Sequence, residues 1–448
     1  MIGAVRSRVH DRAIRRLALP ALGALAIDPL VSLVDTAFVG RLGAEALAAL
    51  AVASAVFLAV FAVFNFLEYA VTPLVANDVG AGRLDAAGTT TTAALGFAVV
   101  AGVVAGAVLI LVAPTLIGFF DVEGAVAAEA VTYLRIRLLA MPAMLALMVG
   151  HGSYRGYQDT RTPLIVTVGL NVVNLVLDPL LIFGLDMGVA GAALATAIAQ
   201  WLGAVWFVVL IFGLHRRRLG ISLGRPERSA VLPLLWAGRS LIIRNAALIG
   251  ALTITTAVAA RVGTVQLAAH QIAVQVWIFL ALVVDALAIA GQAMVGKDLG
   301  SDDVLGARSV SDRLLVLGLG VGFAVAIGLV IVGPWIGGWF TSDEEVKMAL
   351  RDVYPFLVIM QPLNALVFVW DGIAIGASAF RFLAWSMVGA AVVTIVLLIP
   401  VIPLGLGLIA VWWAIVGLML TRAAALWWWY GHGELVIAPG PSPSSPAG

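Results

Sequence analysis

The chain has 448 residues, of which 62% are hydrophobic and only 11% are charged, and its mean hydropathy is +1.08. Soluble domains carry charge on about a quarter of their residues, so this composition excludes a soluble globular protein. The absence of cysteine excludes disulfides, thiolate catalysis and thiolate metal sites, and a net charge of +1 offers no basic face for nucleic acid. We therefore expect an integral membrane protein whose main partner is the lipid bilayer.

Apolar runs long enough to cross a bilayer follow one another along the whole chain. A spanning helix needs roughly 17 to 25 mostly apolar residues, and the alternating segments of about 10 residues that a membrane barrel needs are not found. The predicted fold is therefore an all-α integral membrane bundle. The twelve predicted transmembrane spans are residues 14–39, 45–78, 88–118, 127–154, 162–184, 188–214, 236–260, 264–297, 309–336, 348–378, 382–403 and 406–430.

The distribution of basic residues predicts the orientation of these spans. An even number of spans places both termini on the same side of the membrane. With both termini in the cytoplasm, most arginines and lysines also fall in cytoplasmic segments, as the positive-inside rule requires. The basic residues left at the outer ends are Arg41, Arg135, Arg137, Arg261, Lys347 and Arg351. We expect a multi-pass protein of a bacterial-type plasma membrane with both termini cytoplasmic.

The two halves of the chain align at one fixed offset, which places Gly40 on Ala260. GRLGAEALAAL begins at Gly40, and ARVGTVQLAAH begins at Ala260. Further matches at this offset are VANDVG at 75–80 with VGKDLG at 295–300, and Pro142 and Gly156 with Pro362 and Gly376. Six spans in each half form a parallel repeat, and paired lobes of this kind are typical of alternating-access carriers. The sequence therefore predicts two pseudo-symmetric six-helix bundles.

The repeat sets the predicted domain boundaries. We expect an N-lobe over residues 1–214, a basic cytoplasmic linker over 215–235, and a C-lobe over 236–435. The remaining residues, 436–448, are rich in proline and serine and are expected to be a disordered tail.

Asp28 and Asp35 interrupt the first apolar span seven residues apart, which puts both carboxylates on one helical face about 10 Å apart along its axis. An intramembrane carboxylate is costly and normally faces a bundle interior or an aqueous cavity. In the fifth span, Asn174 and Asp178 also share a face. These residues suit either a Na⁺ site or a proton relay. The alternative is that the acids of the first span are structural, with Asp35 exposed at the interface.

Pro20 and Pro29 lie inside the same first span. Each removes a backbone hydrogen bond and permits a kink, so the helix that carries the acids could bend as a gate. A static kink is the alternative.

The second half carries its own intramembrane charges, Arg244, Asp285 and Asp371. They are second-rank candidates for contact with an ion or a substrate. Mutual pairing with Arg244 is the alternative.

Several motifs of the first half resemble the multidrug and toxic compound extrusion (MATE) family. These motifs are VDTAFVGRLGAEALAALAVA at 34–53, YRGYQDTRTPL at 154–164 and NLVLDPLLIFGLDMGVAGAALAT at 174–196. In the second half, AARVGTVQLAAHQI at 259–272, VVDALAIAGQAMVGKDLG at 283–300 and VWDGIAIGA at 369–377 look most like its DinF branch.

The resemblance implies two bundles arranged in a V and an efflux antiporter driven by inward H⁺ or Na⁺. It assigns coupling-cation roles to Asp35, Asn174 and Asp178, with Thr196 as a nearby polar contributor. Asp28 departs from the family pattern, where a neutral polar residue is common, and adds a third acid. In the C-lobe, Asp285 and Asp371 match the DinF-type pattern.

The predicted function is therefore export of small, often cationic organic molecules in exchange for H⁺ or Na⁺. We expect a monomer that is not an enzyme, needs no cofactor and binds no nucleic acid. A flippase of a lipid-linked precursor is the alternative within the same superfamily. An intramembrane enzyme is a weaker alternative, because the sequence contains neither an HExxH nor a GxSxG motif.

Overall fold

The computed structural model describes residues 2–222 and 228–432, and in these two ranges the chain is helical without a β-strand. The predicted tail, 436–448, and residues 223–227 of the predicted linker lie outside the described ranges. The prediction of an all-α fold is confirmed.

Fifteen α-helices make up the described ranges. In chain order they are α1 Ile2–Gly40, α2 Ala44–Phe64, α3 Phe66–Gly80, α4 Leu84–Gly118, α5 Gly124–Leu139, α6 Met141–Gly156, α7 Arg161–Pro179, α8 Gly188–Val209, α9 Arg228–Val262, α10 Thr264–Gly300, α11 Val304–Phe340, α12 Glu344–Ile359, α13 Gln361–Gly376, α14 Phe380–Leu398 and α15 Gly407–His432. Short π-helical turns extend two of them, α7 through Leu180–Gly184 and α8 through Leu210–Leu214.

Ten helical segments of the described chain are long and apolar enough to cross a membrane, and two bent pairs raise the number to twelve. The first pair is α5 with α6, bent by 50°, and the second is α12 with α13, bent by 52°. Pro142 and Pro362 stand in the first turn of the later helix of each pair. Proline cannot donate a backbone hydrogen bond and clashes with the preceding turn, so the helix breaks there. The described chain accommodates the twelve predicted spans.

The internal repeat reappears in the helix boundaries. The offset that places Gly40 on Ala260 also places both ends of α5 on those of α12, and both ends of α6 on those of α13. The turns repeat as well, because Gln158 and Ser378 both have a positive φ, of 62° and 55°. The predicted pseudo-symmetry therefore extends to the loops.

The chain divides into two compact units. The first unit is Leu19–Gly238, and the second combines the described part of residues 1–18 with the described part of 239–448. Residues 1–18, which the sequence analysis assigns to the N-lobe, thus group with the second unit. Within that unit, Arg313 of α11 binds both carboxylate oxygens of Asp11, at 2.6 and 2.8 Å, which ties the start of α1 to α11.

Glycines allow the closest helix approach within each unit. A Cβ atom at Gly152 of α6 would lie 2.8 Å from the carbonyl oxygen of Glu68 on α3. At the equivalent Gly372 of α13, a Cβ would lie 2.5 Å from the carbonyl oxygen of Ala288 on α10. Small residues of this kind let membrane helices pack backbone to backbone. The contact between α3 and α6 fixes one wall of a cavity inside the first unit.

Candidate functional site

Helix α1 carries Asp28 and Asp35 on the side that faces a cavity inside the first unit. The helix runs without interruption through Pro20 and Pro29, so both predicted kink positions lie in continuous α-helix. The Asp28 side chain is exposed to the cavity, and that of Asp35 is half-buried. The interpretation of Asp35 as an exposed interfacial residue is therefore not supported.

Helix α7 supplies the partners of these acids from one buried face. Asn171 donates a hydrogen bond of 3.0 Å to Asp28 Oδ1. One turn further along α7, the amide nitrogen of Asn174 donates to Asp178 Oδ1 at 3.4 Å and to Thr196 Oγ1 of α8 at 3.3 Å. The structure therefore brings together all five predicted coupling residues and adds Asn171.

Asp35 and Asp178 form the centre of the site. Their carboxyl groups are close enough to influence each other electrostatically, and Asp178 is fully buried. Asp35 Oδ1 and Asp178 Oδ2 are buried and receive no hydrogen bond from the described part of the chain. Two facing carboxylates repel each other unless a proton or a cation lies between them. The pair is thus arranged to take up one positive charge.

The cavity next to this pair has a volume of about 480 Å³ and lies within the first unit. Its polar lining residues include Asp28, Asp35, Glu68, Arg137, His151, Asn171, Asn174, Thr196 and Gln200. Its apolar lining residues include Phe57, Leu58, Phe61, Met144, Leu147, Met148 and Leu170. Small-molecule sites combine apolar contact surface with polar groups that orient the ligand, and this cavity offers both.

Arg137 of α5 is a cavity residue that the sequence analysis placed wrongly at the outer end of a span. It is 8% exposed, and its Nη1 donates to Gln200 Oε1 at 3.1 Å. Its guanidinium lies 4.3 Å from the ring centroid of Phe57. Helical spacing could have indicated this burial. Arg137 lies three residues after Leu134 and four after Tyr133, which places it on the same helical face as these two buried residues.

Glu68 of α3 also borders the cavity and forms an ion pair with Arg155 of α6. Both side chains are largely buried, with 15% and 5% exposed. Because its charge is balanced locally, Glu68 is less suited than Asp35 or Asp178 to bind a free cation.

In the second unit, Asp371 of α13 is held by two arginines. Arg244 of α9 donates to its Oδ2 at 2.6 Å, and Arg422 of α15 binds the same oxygen. A carboxylate held in this way is not available to a free cation, so the geometry favours the pairing interpretation. Arg422, which the sequence analysis missed, is the more buried of the two partners, at 2% exposed. Asp285 lies half-buried on α10.

No three His, Asp or Glu side chains converge as a metal site anywhere in residues 2–222 and 228–432.

Comparison with known proteins agrees with this architecture. The MatE family model matches residues 20–180 and 241–399. The chain is 35% identical to the chloroplastic protein DETOXIFICATION 44 of Arabidopsis thaliana, covering 93% of this chain and 82% of that protein. It is 30% identical to a probable multidrug resistance protein NorM of Rhizobium meliloti, covering 94% and 92%. DNA damage-inducible protein F of Escherichia coli is 29% identical, with 85% and 84% covered, which supports the DinF resemblance.

Solved structures share the fold. A MOP superfamily transporter from Pyrococcus furiosus matches with a TM-score of 0.86 at 21% identity, covering 94% of this chain and 95% of that one. A MATE structure in the straight conformation matches with a TM-score of 0.85 at 22% identity and the same coverage. With the family model matching both halves and a relative at 35% identity along nearly its whole length, the chain belongs to the MatE family.

Proposed function

We propose that this multi-pass membrane protein is a secondary active antiporter that exports small, often cationic organic compounds in exchange for inward H⁺ or Na⁺. Family membership makes it an efflux transporter rather than an enzyme, and relatives are named for multidrug resistance and detoxification. The observation that carries the coupling proposal is the buried pair of Asp35 and Asp178 beside the cavity. Its two oxygens that receive no hydrogen bond from the described residues are where a coupling cation would bind.

Either coupling ion suits the chemistry of this pair. A proton would join the two carboxyl groups by a hydrogen bond and remove one negative charge. A Na⁺ ion would take oxygen ligands from both carboxylates, and Thr196 Oγ1 lies in the same network through Asn174. In both cases the bound charge would remove the repulsion between α1 and α7.

The exported compound would occupy the cavity that these acids border. Aromatic and methionine side chains provide adaptable apolar contact for flat organic molecules. Asp28 faces the cavity and would attract a cationic compound, whereas Asp178 lies behind the wall. Because both ligands carry positive charge, binding of the coupling cation would oppose binding of the compound and so favour its release.

Helix α1 would transmit this exchange by bending. Pro29 follows Asp28 directly and leaves the carbonyl of Leu25 without its intrahelical donor. Neutralising Asp35 and Asp178 would let α1 move towards α7 and narrow the cavity, with Pro20 and Pro29 as bending points. The lobes would then alternate in access to the two sides of the membrane.

The remaining assignments are also proposals. The excess of basic residues in the segments on the side of the termini supports a bacterial-type plasma membrane protein with cytoplasmic termini. We propose that it acts as a monomer with the lobe boundaries given by the repeat.

A flippase for a lipid-linked precursor is less well supported. Arg155, Arg244 and Arg422 are all paired with acids, and Arg137 is the only arginine among the described residues that line the cavity.

Transport into proteoliposomes tests the proposal. A fluorescent organic cation should accumulate when a pH or Na⁺ gradient is imposed. Asp35→Asn and Asp178→Asn should abolish the accumulation, because they keep the side-chain size and remove the charge. Asp186→Asn is the matched control, since Asp186 is an exposed acid in the turn between α7 and α8. No accumulation by the wild type under either gradient with a broad compound panel would contradict the proposal.

A further inference from the structure

The second unit contains a pocket that the transport proposal does not use. It lies between α11 and α12 and has a volume of about 590 Å³. Gly333 and Gly337 form part of its wall on α11, and Leu350 and Tyr354 form part of its wall on α12. Lys347 and Arg351 are its two basic lining residues. The pocket is thus mostly apolar with two cations.

The repeat provides an internal comparison for this pocket. At the repeat offset, Gly333 and Gly337 correspond to Ala113 and Ile117 of the first unit, which are 0% and 1% exposed within a closed core. In the second unit, a Cβ at Gly337 would meet Lys347 Cγ at 3.4 Å, Lys347 Cβ at 3.8 Å and Leu350 Cδ2 at 3.9 Å, whereas a Cβ at Gly333 would lie 2.9 Å from the Tyr354 ring. Around Gly337 the helix pair is therefore open where Ile117 fills the first unit, whereas at Gly333 the Tyr354 ring takes the place of a side chain.

The basic residues differ between the units in the same way. Lys347 and Arg351 correspond to Ala127 and Val131 in the first unit. Lys347 Nζ contacts Glu344 Oε1 at 2.8 Å, but the Glu344 side chain is 72% exposed, and exposed pairs of this kind are weak and exchange readily. The other acids of α12, Glu345 and Asp352, do not line the pocket. In the first unit Arg135, at the position of the lining residue Pro355, donates instead to the carbonyl of Ile110 on α4. The two cations of the second-unit pocket therefore stand at positions that are uncharged in the first unit.

Two exposed tryptophans indicate the depth of the pocket in the membrane. Trp335 and Trp339, in the last turns of α11, are 59% and 66% exposed. Exposed tryptophans near a helix end mark the boundary between lipid tails and head groups. Lys347 and Arg351 follow in the next helix, where long basic side chains reach lipid head groups.

We propose that this pocket binds an anionic phospholipid, with an acyl chain between α11 and α12 and the head-group phosphate at Lys347 and Arg351. The apolar wall matches an acyl chain, and the two cations match a phosphate whose charge is not balanced within the lipid. Basic pockets between transmembrane helices bind acidic lipid head groups on the cytoplasmic side, and the same charge attraction applies at the outer ends of the spans, where the sequence places Lys347 and Arg351. The site is independent of the cavity in the first unit.

Native mass spectrometry of the purified full chain tests this site. The protein is equilibrated with equal amounts of phosphatidylglycerol and phosphatidylcholine, and retained lipids are counted. We expect at least fivefold preference for phosphatidylglycerol in the wild type. Gly337→Ile, patterned on Ile117, should remove one bound lipid per chain. Gly328→Ile is the matched control, because a Cβ at Gly328 of the same helix meets nothing within 4 Å and Gly328 lies outside the pocket.

The double variant Lys347→Ala/Arg351→Val provides a second test that does not alter the glycines. It should keep a bound lipid and lose the preference for phosphatidylglycerol, whereas Arg381→Ala, at an exposed arginine of α14, should keep the preference. Equal lipid retention by wild type and Gly337→Ile would overturn the site. Equal binding of the two lipids by the wild type, or displacement of the lipid by millimolar inorganic phosphate, would overturn the proposed occupant.

Discussion

Replacing Asp178 by asparagine should weaken binding of the coupling cation by about a thousandfold. The carboxyl groups of Asp35 and Asp178 are close enough to interact electrostatically. Two unit charges about 4 Å apart interact with about 4 kcal/mol at an effective dielectric constant of 20. Without the Asp178 charge, a cation between the two groups loses attraction of that size. Since about 1.4 kcal/mol corresponds to a factor of ten in affinity, the loss amounts to roughly three factors of ten.

The assay is the cation dependence of the melting temperature of the purified protein. A cation that binds the folded state stabilises it in proportion to the logarithm of its concentration above the dissociation constant. The wild-type Tm should therefore rise once the concentration of the coupling cation exceeds its dissociation constant. For Asp178→Asn, the concentration at which the Tm begins to rise should be about three decades higher. Asp186→Asn should behave as the wild type. If the Tm of Asp178→Asn begins to rise at a cation concentration within a factor of ten of the wild-type value, the account of the acid pair is refuted.

Four further predictions follow from other contacts. Asp371→Asn leaves two buried guanidinium groups without their counter-charge and should lower the free energy of unfolding by about 3–5 kcal/mol, measured by denaturant titration in detergent. Gly152→Val forces a side chain against the backbone of α3 and should cost about 1–3 kcal/mol, whereas Gly389→Val, with nothing within 4 Å of its Cβ, should cost much less. Arg137→Gln removes a cation from the cavity and should tighten binding of a cationic compound about tenfold, as measured by fluorescence titration. Pro29→Ala restores a backbone donor and should reduce the change in distance between spin labels on α1 and α7 when the coupling cation binds.

Each of these predictions has an outcome that would contradict it. Wild-type stability of Asp371→Asn would show that the triad contributes little to folding. Equal melting temperatures for the two glycine variants would contradict the close packing of α3 and α6. Unchanged or weaker binding by Arg137→Gln would mean that the arginine does not repel the compound. A spin-label distance that does not change in the wild type would leave Pro29 as a static element of α1.

The sequence predicted those features that depend on local patterns. Apolar runs indicated the twelve spans, and the fixed offset indicated the repeat that reappears in the boundaries of α5 and α12. Helical spacing placed Asn174 and Asp178 on one face, where the structure joins them. The same spacing extends to Asn171, three residues before Asn174, which the prediction omitted.

The features that were missed depend on partners far away in the chain. Arg137 finds Gln200 after 63 residues, and Arg422 finds Asp371 after 51. Whether an arginine near a span end reaches water or a buried partner is decided by the packing of several helices, which hydropathy does not report. The predicted span 127–154 treats this segment as one helix, whereas the structure bends by 50° after Leu139. The bend separates α5, which contains Arg137, from α6, and hydropathy does not report it.

Substrate-driven movement of the coupling ion tests the central claim most directly. Proteoliposomes are loaded with a transported compound at equal internal and external pH and Na⁺, diluted into compound-free buffer, and followed with internal pH and Na⁺ indicators. Antiport predicts that efflux of the compound drives one of the two ions inward against its developing gradient, and that this ion movement is lost in Asp178→Asn but kept in Asp186→Asn. Efflux of the compound by the wild type without movement of either ion would contradict the account.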